Sequence, residues 1–566
     1  MITRLIASLV LLLPLGACAT PMAGPLPPQN FGVVSAADPR AAEAGASILR
    51  QGGTATDAAI ATMLALTVVE PQSSGIGGGG FFVRGTADGA VTTIDGRETA
   101  PAAAGEDWFL FSDGQPVGYR GAVMTGLSTG VPGNIRLAEM AHRQHGRLDW
   151  TELFAPAIKL ASEGYILSER GHEYLSSQSE RAARDPAIRP VYFGADNVPL
   201  PVGSLIRNPD LAETLQRIAI AGAQYFYEGP RGAALAAKVA ADTPRTAGMT
   251  AADIANYRAA ERSAVCGEYR SYRICGMGPP SSGATTVFAI LKQLEAHDLA
   301  ALGAENPVFW HLFAESQRLA YADRERYLAD GDYVSVPVAG LMDGDYLAAR
   351  GGLIAPDARM ADVSHGLPAD MSLAPPDGDE PAENGTSHFV VVDGAGNAVS
   401  YTSTIEGSFG SGLTFGGFYL NNELTDFSFT PEKDGRKIAN RVQGGKRPRS
   451  SMSPTLVYAP DGELVMAIGA AGGSTIPVQV ARGLIGMIDF GMTPADALAL
   501  PVLYSPGDAI SVEAGTYLED MIPALRNLGH DVAARGLPLK ANAARKISGI
   551  WVGAADPRSE GIAVTR

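Results

Sequence analysis

The chain changes character abruptly at Thr386, and this boundary constrains the fold more than any other feature. Residues 366–385 (GLPADMSLAPPDGDEPAENG) are rich in proline and acidic side chains and show no helical or strand periodicity, which is typical of a linker. A run of β-branched residues then begins without an intervening turn, as expected of a strand. The sequence therefore predicts a mostly helical first part and a strand-rich second part that meet at the Gly385–Thr386 bond.

Length and composition indicate a globular protein. The 566 residues suffice for several hydrophobic cores, and length alone suggests about three or four domains. Hydrophobic residues make up 46% of the chain and charged residues 18%, which are ordinary values for globular proteins. The net charge of −16 at pH 7 argues against nucleic acid as the main partner, because phosphates must be met by lysine and arginine.

The first 18 residues have the features of an export signal. Arg4 precedes an apolar run, 5–15, which is too short to span a bilayer but has the length of a signal-peptide core. Small residues before Cys18 resemble a bacterial lipoprotein signal, cut so that the Cys18 thiol carries lipid. The alternative is an ordinary secretory signal cleaved nearby. We therefore expect an exported, periplasmic protein, lipid-anchored in the first case, with 19–30 as a proline-rich tether.

Hydrophobic periodicity and capping residues predict the main helices and strands. Residues 38–70 indicate two helices, with Asp38 as the N-cap of the first and Asp57 at the start of the second. The same criteria predict helices over 207–240, 250–259, 307–329 and 476–489, strands over 388–393 and 398–404, and a hairpin over 455–469.

Two cysteines, Cys266 and Cys275, flank the alternating segment GEYRSYRI. A turn near Arg270 and Ser271 would place the two thiols at equal offsets, opposite each other on a hairpin. A disulfide fits an exported protein, and the alternative is a pair of small buried residues without a bond. The absence of C-x-x-C spacing argues against a catalytic pair.

Two glycine-rich motifs match known site patterns in the wrong context. Residues 75–80 fit G-x-G-x-x-G, but a predicted helix precedes them and a strand follows, the reverse of the order in dinucleotide-binding proteins. Residues 126–130 fit G-x-S-x-G, but 131–133 separate Ser128 from the next helix, whereas a nucleophile elbow leads directly into one. We interpret the first motif as a closely packed backbone loop and the second as a structural turn.

The eight histidines do not form a recognisable site. They show no H-x-x-x-H spacing and no cluster with cysteine, so no metal site is predicted. His388, beside Thr386, is either a base or a core residue of the strand, and lone strand histidines are more often the latter.

Thr386 offers a chemistry of its own. A threonine hydroxyl is a weak nucleophile unless an adjacent base takes its proton. Cleavage of the chain before Thr386 would supply that base as a new α-amine, which titrates near about pH 8. Gly385 tolerates the strained backbone that attack on its carbonyl would require.

Seven motifs decide between these possibilities because they occur together and in a fixed order. They resemble the γ-glutamyltransferase (γ-glutamyltranspeptidase) family of the N-terminal-nucleophile hydrolase superfamily from about residue 31 to the C-terminus. The motifs are EPQSSGIGGGGFF (70–82), DGRETAP (95–101), MGPPSSGA (277–284), GTSHF (385–389), YLNNELTDF (419–427), KRPRSSMSPT (446–455) and GAAGGS (469–474).

The resemblance implies both a fold and an activity. The fold is α+β, a four-layer αββα sandwich formed by two chains after self-cleavage, a large subunit (31–385) and a small subunit (386–566) that remain together as a heterodimer. The activity is cleavage of the γ-glutamyl bond of glutathione and related compounds through an ester on Thr386. The acyl group passes to water or to the amine of an amino acid or peptide, and no cofactor is implied.

The resemblance also assigns roles at the reacting bond. Thr386 would be the nucleophile both in autocleavage after Gly385 and in catalysis, and Thr404 would hydrogen-bond the nucleophile and hold its amine. Gly472 and Gly473 would donate backbone N–H groups to the oxyanion, and one such donor is typically worth about 3–4 kcal/mol of the barrier.

The remaining matched residues, which we call the substrate clamp, would bind the free amino-acid end of the donor. Arg97 presents a planar fork that fits the α-carboxylate, although alone it could be a surface ion pair. Ser450 and Ser451 could add hydroxyl donors to the same carboxylate. The acceptors for the α-ammonium would be Glu406, Glu423 and Asp426.

Two departures from the family pattern affect the expected activity. Glutamate stands at position 406, where many members carry asparagine, and it preserves an acceptor for the ammonium. Residues 428–445 contain no tyrosine, whereas some members have a lid loop there with a tyrosine that covers the substrate. Because a less closed site admits water more easily, we expect hydrolysis to compete well with transpeptidation.

Two other functions fit parts of the pattern. A cephalosporin (glutaryl) acylase of the same family takes an acyl group without the α-amine, so it has no need of Glu423 and Asp426 together. A self-cleaving envelope lipoprotein without turnover has no need of a nucleophile combined with a complete substrate clamp.

Overall fold

The computed structural model describes residues 31–369, 371–381, 383 and 385–565. The predicted signal with Cys18 and the tether 19–30 lie outside these residues. Within the described ranges no helix is long and apolar enough to cross a membrane.

Most strands belong to two large antiparallel sheets, and the others form short ribbons. In chain order the strands are β1 (Gly32–Ala36), β2 (Gly79–Gly85), β3 (Val91–Asp95), β4 (Tyr165–Ile166), β5 (Leu205–Ile206), β6 (Ala260–Arg262), β7 (Val265–Tyr269), β8 (Tyr272–Gly276), β9 (Ser387–Asp393), β10 (Ala398–Thr404), β11 (Thr414–Phe415), β12 (Phe418–Tyr419), β13 (Glu432–Lys433), β14 (Arg436–Lys437), β15 (Thr455–Tyr458), β16 (Leu464–Ala471), β17 (Leu503–Tyr504), β18 (Ala509–Glu513), β19 (Asp531–Arg535), β20 (Lys540–Ile547), β21 (Ile550–Ala555) and β22 (Ile562–Thr565).

The helices lie outside the two sheets and in the segments that connect them. In chain order they are α1 (Pro39–Arg50), α2 (Ala55–Val69), α3 (Gly118–Val123), α4 (Asn134–His145), α5 (Ala155–Glu163), α6 (Glu169–Ser177), α7 (Ser179–Ala182), α8 (Arg189–Tyr192), α9 (Pro209–Ala221), α10 (Gln224–Tyr227), α11 (Gly229–Ala241), α12 (Ala251–Asn256), α13 (Gly283–Leu294), α14 (Leu299–Leu302), α15 (Pro307–Tyr327), α16 (Val338–Leu341), α17 (Gly344–Gly351), α18 (Ile476–Ile488), α19 (Pro494–Ala499) and α20 (Leu518–Asn527).

The two sheets stack face to face at the centre of the molecule. The first has the strand order β22-β1-β9-β10-β2-β3-β6, and the second has the order β21-β20-β16-β15-β8-β7. Helices α1 and α2 pack on the outer face of the first sheet, and α13 and α18 pack on the second sheet. This arrangement confirms the predicted four-layer αββα sandwich.

Strand β9 shows how the sequence builds these layers. Its side chains alternate between two cores: Phe389 and Val391 pack with α1 and α2, whereas Val390 and Val392 face the second sheet. Because both faces of β9 are buried, residues 389–392 are all apolar and do not alternate with polar residues. This pattern is expected of a strand in the middle of a sandwich.

The prediction of a mostly helical first part is incomplete. Before Thr386 the chain also supplies strands to both sheets. In the first sheet, β9 lies between β1 and β10, and β10 in turn lies between β9 and β2. Strand β2 pairs with β10 along its whole length, from Gly85↔Ala398 to Gly79↔Thr404. The segments on either side of the Gly385–Thr386 bond are therefore hydrogen-bonded to each other throughout the core.

The first two helices begin as capping rules require, with one correction. Asp38 accepts a hydrogen bond from the Arg40 N–H at 2.8 Å and caps α1. For α2 the N-cap is Thr54, and Asp57 stands at the third helical position, where the two residues form a capping box. The predicted start at Asp57 was therefore two residues too late, because the box places its acidic member inside the helix.

Strands β7 and β8 form the hairpin expected around Arg270 and Ser271, both of which have positive φ. Cys266 lies opposite Cys275, with their Cα atoms 4.1 Å apart, and the structure joins them by a disulfide.

Candidate active site

Thr386 lies at the entrance of β9 with its hydroxyl held by a neighbouring strand. Its Oγ1 donates a hydrogen bond to Oγ1 of Thr404 at 3.1 Å, and Thr404 Oγ1 also accepts one from the Glu406 N–H at 2.8 Å. The pairing of Ser387 with Ser403 brings the two threonines together, one position beyond the last paired residues. At φ 90°, Thr386 holds a backbone conformation that is strained for a β-branched residue.

The carbonyl before Thr386 already has a backbone donor. The Gly472 N–H donates to the Gly385 oxygen at 3.0 Å, within the range for a donor in an oxyanion hole. Both positions require glycine: a Cβ on Gly385 would lie 1.7 Å from the Glu406 oxygen, and one on Gly472 would lie 1.8 Å from the Pro538 oxygen. Gly473 follows at φ 59° and opens a 3-10 turn. The Thr386 hydroxyl and the Gly385 carbonyl bound by Gly472 are thus adjacent in this structure.

Arg97 joins two of the predicted ammonium acceptors in a buried ion-pair cluster. Its guanidinium binds both Glu423 and Asp426 and also donates to the Arg449 carbonyl at 2.8 Å. The Arg97 side chain is 1% exposed. Burial alone would lower the pKa of Arg97, but the charges of Glu423 and Asp426 outweigh burial and raise it. The predicted clamp residues are therefore brought together, with Arg97 paired to the two acids in the uncut chain.

Glu98 is a third buried carboxyl at this cluster, and sequence reasoning missed it. Burial raises its pKa to about 8, and its side chain interacts with the carboxyl of Glu423. Burial and the neighbouring charge of Glu98 also keep the pKa of Glu423 well above its ordinary value. The available signal was position, since Glu98 follows Arg97 in the DGRETAP motif. Three acidic side chains around one guanidinium provide a site that favours an additional cation.

Glu406 connects this cluster with the nucleophile. Its side chain accepts a hydrogen bond from the amide of Asn422, and its backbone N–H binds Thr404. The carboxylate is buried. Burial raises the pKa of both Glu423 and Asp426, and the charge of Glu406 adds to this effect. All three predicted ammonium acceptors therefore influence one another electrostatically.

The two predicted serines are held by the MGPPSSGA segment. Ser282 Oγ donates to the Ser450 carbonyl at 2.8 Å. Ser451 Oγ accepts a hydrogen bond from Arg324 Nη2 at 2.6 Å, and the Ser451 N–H donates to Glu383 Oε2 at 3.2 Å. The backbone N–H of Ser451 thus faces the Glu383 carboxylate of the linker, whereas the Ser450 hydroxyl accepts a hydrogen bond from the Met452 N–H at 3.2 Å.

The acidic linker makes specific contacts that its lack of periodicity did not reveal. Asp379 accepts from Ser428 Oγ at 2.7 Å, Glu380 from Asn440 Nδ2 at 2.9 Å, and Glu383 from Arg324 Nη2 at 2.7 Å. The charge of Glu383 raises the pKa of Asp426 in addition to the effect of burial. The linker residues before Thr386 therefore contact Ser451 and act electrostatically on Asp426, two of the predicted substrate-binding residues.

The residues next to Thr386 support the strand and do not act as bases. His388 is fully buried, burial lowers its pKa to about 3, and its Nδ1 lies 2.9 Å from Thr402 Oγ1. Ser387 Oγ donates to Glu70, which is paired with Lys540 at 2.8 Å. His388 is therefore a neutral core residue, the second of the two sequence-based alternatives.

The two glycine-rich motifs have the structural roles assigned to them. In the 75–80 loop, a Cβ on Gly77 would lie 2.0 Å from the Tyr419 oxygen, and one on Gly78 would lie 1.9 Å from the Thr404 oxygen. Close packing against the site explains these glycines. In the other motif Ser128 is buried, and its Oγ donates to the Val123 carbonyl at 2.9 Å, so its hydroxyl closes a turn.

The 428–445 segment forms a short hairpin, β13–β14, on the surface. Lys437 Nζ and Arg441 Nε both bind Glu106, and Arg436 Nη1 donates to the Ala374 carbonyl in the linker at 2.9 Å. The segment, which contains no tyrosine, is thus attached to the rest of the protein by charged side chains.

Space remains beside the reacting bond. A cavity of about 170 Å³ is lined by Thr386, Gly472, Tyr174, Arg170 and Lys540, among others. In the part of the chain that the structure covers, no group of three or more histidine, cysteine, aspartate or glutamate side chains could hold a metal ion.

An αββα sandwich with a threonine at the entrance of a central strand defines the N-terminal-nucleophile hydrolase class. The family model described as gamma-glutamyltranspeptidase matches residues 41–565. The chain belongs to this family and is one of its enzymes.

Individual relatives agree with this assignment. The glutathione hydrolase proenzyme of Bacillus subtilis (strain 168) is 35% identical over 556 residues, which cover 94% of this chain and 91% of that protein. Cephalosporin acylase from Bacillus halodurans superposes with a TM-score of 0.80 at 25% identity, covering 96% of this chain and 99% of that one. Helicobacter pylori gamma-glutamyltranspeptidase superposes with a TM-score of 0.56 at 37% identity, covering 60% of this chain and 95% of that one.

Proposed function

We propose that the chain cuts itself between Gly385 and Thr386 and then acts as a γ-glutamyltransferase and glutathione hydrolase through the freed Thr386. The observation that carries the proposal is the pair of contacts at the scissile bond. Thr404 orients the Thr386 hydroxyl, and the Gly472 N–H binds the carbonyl that this hydroxyl would attack.

Self-cleavage follows from these contacts as an N-to-O acyl shift. Thr386 Oγ1 attacks the Gly385 carbonyl carbon, and its proton passes to the Thr386 nitrogen as the C–N bond breaks. The negative charge of the tetrahedral intermediate develops on the oxygen that Gly472 already binds. Water then hydrolyses the resulting ester, which leaves a carboxylate on Gly385 and a free α-amine on Thr386. The products are a large subunit, 31–385, and a small subunit, 386–566, held together by their shared sheets.

The turnover reaction reuses the same atoms. The α-amine of Thr386 takes the hydroxyl proton while Oγ1 attacks the γ-carbonyl of the donor, and it returns the proton to the leaving amine. Gly472, with Gly473, stabilises the oxyanion. The γ-glutamyl ester on Thr386 is then transferred to water or to the amine of an amino acid or peptide.

The clamp accounts for recognition of a γ-linked glutamate. The carboxyls of Glu406, Glu423 and Asp426 are buried, and buried carboxylates need compensating charge. The ammonium group of the donor supplies a second cation beside Arg97. The α-carboxylate of the donor binds the Arg97 guanidinium together with Ser450 and Ser451. Glutathione and other γ-glutamyl compounds carry both free groups.

A second candidate, a cephalosporin (glutaryl) acylase, is favoured by the similarity to the Bacillus halodurans enzyme. A glutaryl group has the carboxylate but no ammonium, so it leaves the Glu423–Asp426 cluster without its cation. The chromogenic substrates γ-glutamyl-4-nitroanilide and glutaryl-4-nitroanilide separate the alternatives. We expect a strong preference for the first, whereas a preference for the second indicates an acylase. If protein that has cut itself releases 4-nitroaniline from neither substrate, it is an envelope lipoprotein without turnover.

The N-terminal segment completes the proposal. Export to the periplasm through residues 1–18 and lipid attachment at Cys18 would tether the heterodimer to the bacterial envelope by 19–30. Its partners there would be small γ-glutamyl donors and acceptor amines, and neither nucleic acid nor a metal or organic cofactor has a part in the mechanism.

A further inference from the structure

A built carboxylate site lies beside the clamp and is filled by the chain itself. The carboxylate of Glu383 binds Arg324 Nη2 through Oε1 at 2.7 Å and the Ser451 N–H through Oε2 at 3.2 Å. One charged donor and one backbone donor thus hold its two oxygens separately, a strong mode of carboxylate binding.

Arg324 is fixed in place independently of Glu383. It lies near the end of α15 and is 3% exposed. Its Nε donates to Ser282 Oγ at 2.9 Å, and its Nη2 also donates to Ser451 Oγ at 2.6 Å. Glu325 forms an ion pair with Arg324 and another with Arg449. The guanidinium of Arg324 therefore keeps its orientation when Glu383 leaves. It is then a buried cation that has lost one of its carboxylate partners, so it favours binding another carboxylate.

The position of Glu383 indicates which part of a substrate would replace it. The Gly385 carbonyl, bound by Gly472, stands where the γ-carbonyl of a donor must stand. Glu383 lies on the acyl side of that carbonyl, and its charge acts on both Arg97 and Asp426. The α-carboxylate of a γ-glutamyl group lies on the same acyl side of its reacting carbonyl.

We infer that Arg324 and the Ser451 N–H form a second carboxylate-binding pair, in addition to Arg97, which takes the α-carboxylate of the donor after self-cleavage. Glu383 fills this pair before the cut and then competes for it from the new end of the large subunit. The inference rests on the proposed function, because it names a further specificity-determining residue of the same site.

The test compares three anilides that differ in one group each. γ-Glutamyl-4-nitroanilide carries both α groups, glutaryl-4-nitroanilide lacks the amine, and 4-aminobutyryl-4-nitroanilide lacks the α-carboxylate. For Arg324→Gln, kcat/KM for the two carboxylate-bearing anilides should fall at least about tenfold more than kcat/KM for the 4-aminobutyryl anilide. Arg324→Lys, which keeps the charge but loses the planar fork, should show the same pattern with a smaller factor.

Arg449→Gln is the matched control. It removes a second arginine, as buried as Arg324, that shares the partner Glu325. Its guanidinium binds the Arg324 and Glu325 carbonyls. All three anilides should be affected alike. The inference is overturned if Arg324→Gln also lowers all three by a common factor, because a purely structural role predicts that result. If the unmodified enzyme does not hydrolyse γ-glutamyl-4-nitroanilide at all, the proposed function fails instead.

A second variant leaves Arg324 untouched. In Glu383→Ala the tethered competitor is removed, so KM for γ-glutamyl-4-nitroanilide should fall by about twofold or more, while KM for the 4-aminobutyryl anilide should stay within error. An unchanged KM for the γ-glutamyl anilide contradicts a shared site.

Discussion

The N–H of Gly472 binds the carbonyl oxygen of Gly385 at 3.0 Å, so in the proposed mechanism a donor for the oxyanion is in place before the chain is cut. Gly472 follows the end of β16, and Gly385 ends the linker that leads into β9. Their contact joins the two central sheets at the reacting bond. The proposed mechanism uses this one donor both in the self-cleavage reaction and in every later acyl transfer.

The first prediction concerns this donor. Gly472→Ala places a methyl group 1.8 Å from the Pro538 oxygen at a backbone φ of 120°, so the loop must move and the N–H is displaced. Loss of one oxyanion donor costs about 3–4 kcal/mol, so self-cleavage should slow by roughly two orders of magnitude or more. The rate is followed as the appearance of two bands on a denaturing gel.

Gly462→Ala is the control for this substitution. Gly462 also has positive φ, at 87°, but nothing lies within 4 Å of an added Cβ, so the change introduces backbone strain without touching the site. It should cut at the normal rate. Normal cutting by Gly472→Ala would remove Gly472 from the mechanism.

The second prediction concerns Glu98, whose pKa burial raises to about 8, whereas glutamate in an unfolded chain titrates near about 4.3. Between these values the folded protein holds a proton that the unfolded chain has lost, so stability falls as pH rises from about 4.3 to about 8 and is level above that. Burial of the Glu98 carboxyl therefore contributes to a loss of stability over this pH range.

Glu98→Gln removes the titration while keeping the shape of the side chain. Thermal unfolding measured from pH 5 to pH 8, in a Thr386→Ala background so that one covalent form is present, should show a smaller loss of Tm in the Gln variant than in its parent. The assignment is wrong if the two pH profiles run parallel.

The third prediction concerns the fate of the acyl group. The 428–445 segment carries no tyrosine to close over the donor and is held by ion pairs to Glu106, so water should reach the ester on Thr386. Glutamate release should be comparable to formation of γ-glutamyl-glycylglycine at modest glycylglycine concentrations. A large excess of transfer product under those conditions would show that the site is closed by other means.

The fourth prediction concerns location. If Cys18 carries lipid, Cys18→Ser should move the protein from the membrane fraction to the soluble periplasmic fraction without altering its γ-glutamyl anilide activity. An unchanged distribution would favour an ordinary secretory signal.

Local sequence signals predicted the elements that depend on neighbours in the chain. The caps of α1 and α2, the β7–β8 hairpin and the strand after Thr386 all have short-range causes: a capping side chain, equal offsets from a turn, or a β-branched run. The error at Asp57 is two residues, because an acidic side chain is favoured both at the N-cap and at the third helical position of a capping box.

Long-range relationships were less accessible. Strand β2 was expected only as a short strand after a glycine loop, since nothing local indicates that it pairs with β10. The family motifs identified Arg97, Glu423 and Asp426, but not that Arg97 would bind both acids. Glu383 and Arg324 were missed because the linker has no periodicity and its partners lie on a distant helix.

The N-terminus of the smaller subunit tests the central claim most directly. Purified protein should give two bands on a denaturing gel, and Edman sequencing of the smaller band should begin Thr-Ser-His-Phe, from Thr386 to Phe389. Thr386→Ala should remain a single uncut chain. A small subunit that begins elsewhere, or cutting that persists in Thr386→Ala, would contradict the assignment of Thr386 as the nucleophile.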